Sequence, residues 1–105
     1  MRCSINAHHK IIESNKVVVI DVRAVHEFEA GHIPGARNIN INDAKFLDKI
    51  EELDKDAKYI INCQMGGRSA RATVLLESLE FKNVMNLEGG IKGWIEEGLG
   101  VSVEC

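Results

Sequence analysis

Two apolar segments that lack polar alternation constrain the fold more than any other feature of the sequence. They are VVVID at 17–21 and KYIINC at 58–63. Strands that are covered on both faces have this composition, because neither side of the strand meets water. Shorter strands are predicted at 36–41 and 83–87. The sequence therefore predicts a parallel sheet that is buried between helices.

Helical periodicity occurs between these strands. Asn42 is a favourable N-cap, and the apolar residues after it share one helical face: Phe46, Leu47, Ile50 and Leu53. A second amphipathic helix is predicted from Ser69 onward, with Thr73 facing away from the sheet and an apolar set facing it: Ala72, Leu75, Leu76 and Leu79. Strands that alternate with helices indicate the α/β class. We therefore expect a single domain over residues 1–105, with a mostly parallel central sheet flanked by helices on both faces.

The charge and the hydropathy pattern restrict the classes of partner. The formal net charge is −3 and the isoelectric point is about 5.8, whereas nucleic-acid binding usually leaves a basic excess. The longest aliphatic run, VVVI, is far too short to cross a bilayer. We therefore expect a cytoplasmic protein that binds neither nucleic acid nor membrane.

The three cysteines are Cys3, Cys63 and Cys105, and none has the C-x-x-C spacing of a metal or dithiol site. They are expected to be free thiols in a reducing compartment. Cys3 and Cys105 lie near the frayed ends of the chain, where an exposed thiol without a role is the simplest interpretation. A further hypothesis is that Cys105 resolves a sulfur adduct on Cys63 or forms a disulfide.

The stretch CQMGGRS at 63–69 places one thiol between a predicted strand and a predicted helix. A thiol near a helix N-terminus or a cation has a lowered pKa, and Cys63 is expected to have both, the cation being Arg68. Gly66 and Gly67 allow backbone conformations that other residues avoid, so that successive N–H groups converge. A cysteine that ends a buried strand is often only a small inert hydrophobe. Together with the glycines and Arg68, however, it favours an anion-binding loop around a reactive sulfur.

With these residues in view, the sequence resembles the single-domain rhodaneses, which are sulfurtransferases. The resemblance rests on three ordered motifs, VVVIDVRAVHEFEAGHIPGARNI at 17–39, YIINCQMGGRSARAT at 59–73 and NVMNLEGGIKGW at 83–94. It implies a rhodanese-like α/β domain in which Cys63 is the catalytic nucleophile. It also implies that the rest of the loop binds substrate, namely Gln64, Met65, Gly66, Gly67 and Arg68. No metal and no organic cofactor are implied.

The resemblance implies that Cys63 accepts a sulfane sulfur from thiosulfate or from a persulfide or polysulfide donor. The resulting persulfide would pass its sulfur to cyanide, to a small thiol or to a sulfur-accepting protein. The N–H groups of residues 64–68 would surround the terminal sulfur and stabilise its negative charge. Between Cys63 and Arg68 the loop contains no Lys or Arg, so thiosulfate is expected to be a poorer donor than a persulfide.

Two alternatives stay open. One is a sulfur-relay or protein-interaction module with little turnover on small donors. The other is a phosphatase or arsenate reductase, whose loop has one residue more than the four that separate Cys63 from Arg68. The spacing therefore favours sulfur transfer over phosphate chemistry.

Three polar residues near the loop have expected supporting roles, and a fourth has two possible interpretations. Asp21 and Arg23 follow a buried strand, where charges are normally paired, and they are predicted to support the loop together with Ser69. Asn62 directly precedes Cys63 and is either bonded to the loop backbone or incidental.

Overall fold

The computed structural model describes residues 2–3, 17–87, 89–96 and 98. Its strands are β1 (Arg2–Cys3), β2 (Val18–Asp21), β3 (Arg37–Asn38), β4 (Lys58–Asn62) and β5 (Asn83–Leu87). Its helices are α1 (Val25–Ala30), α2 (Phe46–Glu51), α3 (Gly67–Ser78) and α4 (Gly90–Glu96). Among the described residues, no helix is long and apolar enough to cross a membrane.

The five strands form one parallel sheet in the order β1-β5-β4-β2-β3. In the centre of the sheet, β2 and β4 pair from Val18 opposite Tyr59 to Asp21 opposite Asn62. The carboxyl ends of these strands are therefore level. This register brings the segment after Asp21 next to the segment after Asn62, which is the predicted reactive loop.

Both faces of the sheet are covered, as the unbroken apolar strands predict. Ile20 and Ile61 belong to a core that includes Phe46 of α2 and Leu76 of α3. Their neighbours Val19 and Ile60 belong to a second core that includes Trp94 of α4. Because successive strand residues point to opposite faces, the two cores lie on opposite sides of the sheet. The predicted α/β fold, with a parallel sheet between helical layers, is confirmed.

The predicted start of α2 is wrong. The helix begins at Phe46 with Lys45 at its N-cap position, and not directly after Asn42. The side chain of Asn40 accepts a hydrogen bond from the backbone N–H of Asn42 at 2.9 Å, and Asp43 accepts one from the N–H of Lys45 at 2.8 Å. These local bonds stabilise turns that compete with the helix. Leu47, predicted to face the core, is 51% exposed.

The predicted orientation of Thr73 is also wrong. Its side chain is buried, and its hydroxyl donates to the backbone carbonyl of Ser69, one turn earlier in α3, at 2.8 Å. This bond satisfies the hydroxyl without water and allows burial. Leu75, predicted to face the sheet, is 38% exposed instead.

The amino-terminal end of the chain departs from the expected frayed segment. Arg2 and Cys3 form β1, which pairs with β5 at Asn86 and Leu87. β5 therefore has a neighbour on both sides. The hypothesis about Cys105 lies outside the described residues.

Candidate functional site

The candidate site is the loop that joins β4 to α3. Cys63 follows the last residue of β4, and α3 begins at Gly67, two residues earlier than predicted. Cys63 is 1% exposed, whereas Gln64 and Met65 are exposed. The thiol thus lies at the base of a loop whose next side chains face solvent.

The Cys63 sulfur accepts hydrogen bonds from the loop. The backbone N–H of Gly66 lies 3.0 Å from Sγ, and the hydroxyl of Ser69 lies 3.4 Å from it. Burial raises the pKa of the Cys63 thiol, but the Ser69 hydroxyl and the backbone N–H groups of Ser69, Gly66 and Met65 lower it. The lowering prevails, so that the pKa lies below its ordinary value of 9.0. The site favours the thiolate, which is the nucleophilic form.

The two loop glycines have different reasons to be glycine. Gly66 has φ +109°, a conformation that residues with a side chain rarely adopt, and this conformation directs its N–H at the sulfur. Gly67 lies in the first turn of α3 without a positive φ, and a Cβ there would meet nothing within 4 Å. The expectation that both glycines give the loop backbone conformations closed to other residues is therefore correct for Gly66 and wrong for Gly67.

Ser69 connects the sulfur to a distant strand. Its hydroxyl lies 2.5 Å from Oδ1 of Asn86, which belongs to β5. Asn86 and Ser69 are both buried. The sequence reasoning missed Asn86, because only the pairing of β5 with β4 shows that it lies beside the loop. Ser69 thus has Cys63 on one side and a buried amide on the other.

The start of α4 supports the loop from below. The N–H groups of Ile91 and Lys92 donate to the carbonyls of Cys63 at 2.9 Å and Gln64 at 3.1 Å. Gly90 makes this approach possible, since a Cβ at that position would lie 2.5 Å from the Cys63 carbonyl oxygen. Gly90, the second glycine of the pair Gly89–Gly90, is therefore required for packing α4 against the loop.

Arg68 is held by a carboxylate that the sequence reasoning did not single out. Its NH1 and NH2 nitrogens donate to Oε1 and Oε2 of Glu27 in α1, at 2.8 and 2.9 Å. The hydrogen bond from Arg68 lowers the pKa of Glu27 to about 2, against a smaller opposing effect of burial. Glu27 in turn holds the pKa of Arg68 above its ordinary value. The guanidinium thus joins the loop to α1.

A second arginine reaches the loop from the segment that follows β2. Arg23 is 3% exposed and pairs with the fully buried Asp21, the two closest atoms being 2.7 Å apart. The same guanidinium donates to the carbonyl of Gly31 at 2.7 Å and to the side chain of Gln64 at 3.3 Å. The expected pairing of Asp21 with Arg23 is present, and it extends to the loop through Gln64.

Asn62 does not bond to the loop backbone. Its side chain is fully buried, and neither its amide nitrogen nor its amide oxygen has a hydrogen-bond partner among the residues that the structure describes. An unsatisfied buried amide costs about 1–3 kcal/mol per polar group.

Within the same described part of the chain, no cluster of His, Cys, Asp and Glu is arranged to hold a metal ion.

Comparison with known proteins gives a consistent result. The rhodanese-like domain family model matches residues 4–97. The uncharacterised protein YqhL of Bacillus subtilis is 40% identical over 79 residues, which cover 75% of this chain and 61% of YqhL. Thiosulfate sulfurtransferase GlpE of Pseudomonas fluorescens is 36% identical over 88 residues, which cover 83% of this chain and 78% of GlpE. This chain thus spans less than two thirds of YqhL.

Solved structures show the same likeness in three dimensions. The crystal structure of a rhodanese-related protein from Thermoplasma volcanium matches with a TM-score of 0.88 at 35% identity, and the match covers 98% of both chains. The likeness therefore covers nearly the whole of both chains.

Proposed function

Since the chain belongs to the rhodanese-like domain family, we propose that it is a sulfurtransferase whose Cys63 carries a sulfane sulfur as a persulfide. The observation that most supports this proposal is the environment of the Cys63 sulfur. Sγ accepts hydrogen bonds from the Gly66 N–H and the Ser69 hydroxyl, and its pKa is lowered. A thiolate whose formation is favoured by a lowered pKa and by hydrogen bonds from N–H groups is suited to attack a sulfur–sulfur bond.

In the loading step, the Cys63 thiolate attacks the outer sulfur of the donor. A bond forms between Sγ and that sulfur, while the bond between the outer sulfur and its carrier breaks. The electron pair leaves with the carrier, which departs as sulfite from thiosulfate or as a thiolate from an organic persulfide. The covalent intermediate divides one transfer into two easier displacements.

In the release step, cyanide or an acceptor thiolate attacks the terminal sulfur, and Cys63 leaves as a thiolate. The hydrogen bonds that lower the thiol pKa also make this thiolate a better leaving group. We propose that the loop residues 64–68 surround the terminal sulfur, with the N–H groups of Met65 and Gly66 among its donors. Ser69, Asp21 and Arg23 hold the loop in this arrangement, and neither step needs a metal or an organic cofactor.

Intact-protein mass spectrometry tests the proposal. Reduced protein is measured before and after incubation with thiosulfate or glutathione persulfide, and again after cyanide. We expect a gain of one sulfur atom that cyanide removes and that Cys63→Ser abolishes. Cys3→Ser and Cys105→Ser are the matched controls, and they should retain the gain. If Cys63 is reduced and folded but gains no sulfur from either donor, transfer from small donors is wrong.

One observation favours a second candidate function, a sulfur-relay module that works with a protein partner. Met65 exposes 67% of its surface beside a thiol that is only 1% exposed. An exposed apolar side chain at the entrance suits contact with another protein surface. Slow loading by every small donor, together with sulfur transfer from a persulfidated protein, would favour the relay over the enzyme.

A further inference from the structure

The charge of the loop depends on one ion pair. Arg68 is the single Lys or Arg among residues 63–69. Both of its terminal nitrogens donate to Glu27, so that the two partners share a bidentate geometry. Such a pair is more strongly oriented than a single contact. An incoming anion could use only the guanidinium N–H groups that the carboxylate leaves open, at a cation whose charge Glu27 already offsets.

Glu27 is itself fixed in place. Its Oε1 also accepts the backbone N–H of Ala24 at 3.2 Å, at the start of α1. The side chains of Arg68 and Glu27 are 28% and 26% exposed, so that solvent reaches the pair only in part. The lowered pKa of Glu27, about 2, keeps its carboxylate charged throughout the neutral range. The pair therefore persists under the conditions in which the thiolate reacts.

The other guanidinium at the loop is compensated in the same way. Arg23 pairs with Asp21 inside the protein, so that the two ion pairs add no net charge. Lys92 also lies near the loop, through its N–H bond to the Gln64 carbonyl, but it is exposed and its charge is screened by solvent. When Cys63 is a thiolate, the charges at the loop are therefore dominated by that negative sulfur.

Apolar surface is exposed on the two segments that the Glu27–Arg68 pair joins. Met65 of the loop is 67% exposed, and Val25 of α1 is 55% exposed. Apolar surface at such a position favours a donor that has an apolar group of its own. A small dianion gains nothing from it and is repelled by the thiolate.

We propose that Glu27 determines donor specificity, because it neutralises Arg68 and thereby disfavours dianionic thiosulfate relative to monoanionic sulfane donors with an apolar group, such as arylthiosulfonates. This inference rests on the proposed transfer of sulfur to Cys63. The two donors load Cys63 by equivalent steps. The thiolate attacks the terminal sulfur, and the electron pair leaves with sulfite from thiosulfate or with the arylsulfinate from the arylthiosulfonate.

The test compares Glu27→Gln with Glu29→Gln. Both variants remove one negative charge from α1, but Glu29 is exposed and makes no ion pair with Arg68 in the part of the chain that the structure describes. Glutamine at position 27 retains an oxygen for the Ala24 N–H. The second-order rate constant for loading Cys63 is measured by quenched-flow mass spectrometry with thiosulfate and with benzenethiosulfonate.

The expected effects follow from Coulomb's law. The interaction with the freed Arg68 charge is proportional to the donor charge, so that the fold-change for the dianion is the square of that for the monoanion. We expect Glu27→Gln to accelerate loading by thiosulfate about tenfold and by benzenethiosulfonate about threefold at low ionic strength. Both gains should shrink as salt is added. Glu29→Gln should match the wild type.

An equal change for both donors would overturn the inference, because a loosened loop or a shifted Cys63 pKa affects both donors alike. The wild type provides a measurement that does not depend on folding of a variant. Its loading by thiosulfate should become faster as salt rises, since a negative site repels a dianion less when screened. A slower rate would mean that a positive site recruits thiosulfate, and the inference would be wrong while sulfur transfer stands. If neither donor loads wild-type Cys63, the proposed function fails first and the inference fails with it.

Discussion

Gly66 and Gly67 are adjacent, chemically identical and both part of the candidate loop, yet the structure predicts opposite effects of replacing them with alanine. Gly66 has φ +109°, whereas Gly67 has no positive φ and belongs to α3. Space is not the difference, because a Cβ on Gly66 would lie 3.7 Å from its nearest neighbour, an ordinary contact. Backbone conformation alone separates the two positions.

The magnitudes can be worked out from these conformations. Gly66→Ala forces a residue with a side chain into a sparsely populated region, at a cost of about 1–3 kcal/mol in the free energy of unfolding. Gly67→Ala replaces glycine in a helix and should add up to about 1 kcal/mol. For a domain of this size, each kcal/mol shifts Tm by about 4–8 °C. We therefore expect Gly66→Ala to melt at least about 4 °C below Gly67→Ala.

The same substitution should alter the thiol. If the alanine in Gly66→Ala relaxes toward a negative φ, its N–H turns away from Sγ and the 3.0 Å hydrogen bond weakens. A hydrogen bond to a charged group contributes about 1.5–3 kcal/mol, so that its loss raises the pKa of Cys63. The assays are thermal unfolding and the pH dependence of alkylation of Cys63 by iodoacetamide. Gly67→Ala is the matched control for both.

The reasoning about the loop would be refuted by equal behaviour of the two variants. If Gly66→Ala retains the Tm and the Cys63 pKa of Gly67→Ala, neither the strain at position 66 nor the hydrogen bond from its N–H has the assigned role. A lower Tm with an unchanged pKa would mean that the alanine keeps the positive φ at a cost in strain, with the hydrogen bond to Sγ intact.

Three other predictions follow from the site. Ser69→Ala should raise the pKa of Cys63, so that alkylation and sulfur loading reach their plateau at higher pH than in the wild type. The control Ser78→Ala, at the exposed end of α3, should leave the pH profile unchanged. An unchanged profile for Ser69→Ala would contradict the role of its hydroxyl. Asn62→Val should increase the free energy of unfolding by about 1 kcal/mol, because it removes two unsatisfied polar atoms with a smaller increase in side-chain volume than leucine would bring, and a lower stability in urea titration would contradict an unsatisfied amide. Glu27 has a folded-state pKa of about 2, lowered from 4.5, so its contribution to stability is present above pH 4.5 and is lost as the pH falls toward 2. The difference in the free energy of unfolding between the wild type and Glu27→Gln should therefore vanish between pH 4.5 and pH 2. A constant difference over this range would contradict the ion pair.

Much of the fold could be predicted because its signals are local. The runs that became β2 and β4 are apolar at nearly every position, and a strand covered on both faces requires this. The position of Cys63 at the carboxyl end of β4 then followed from the order of strand and helix. The errors occurred where local bonding of polar side chains decided the outcome, as at Asn42 and Thr73.

The sequence by itself determined the class of the fold and the position of the candidate loop, since both depend on residues that are close together along the chain. Only the tertiary structure decided what surrounds that loop. Glu27 reaches Arg68 across 41 positions, and Asn86 reaches Ser69 across 17. Whether Arg68 holds an anion or is held by Glu27 depends on where α1 lies, and this depends on the register of β2 against β4. The net charge at the loop is therefore set by the packing of segments that are distant in the sequence, and a local sequence pattern cannot predict it.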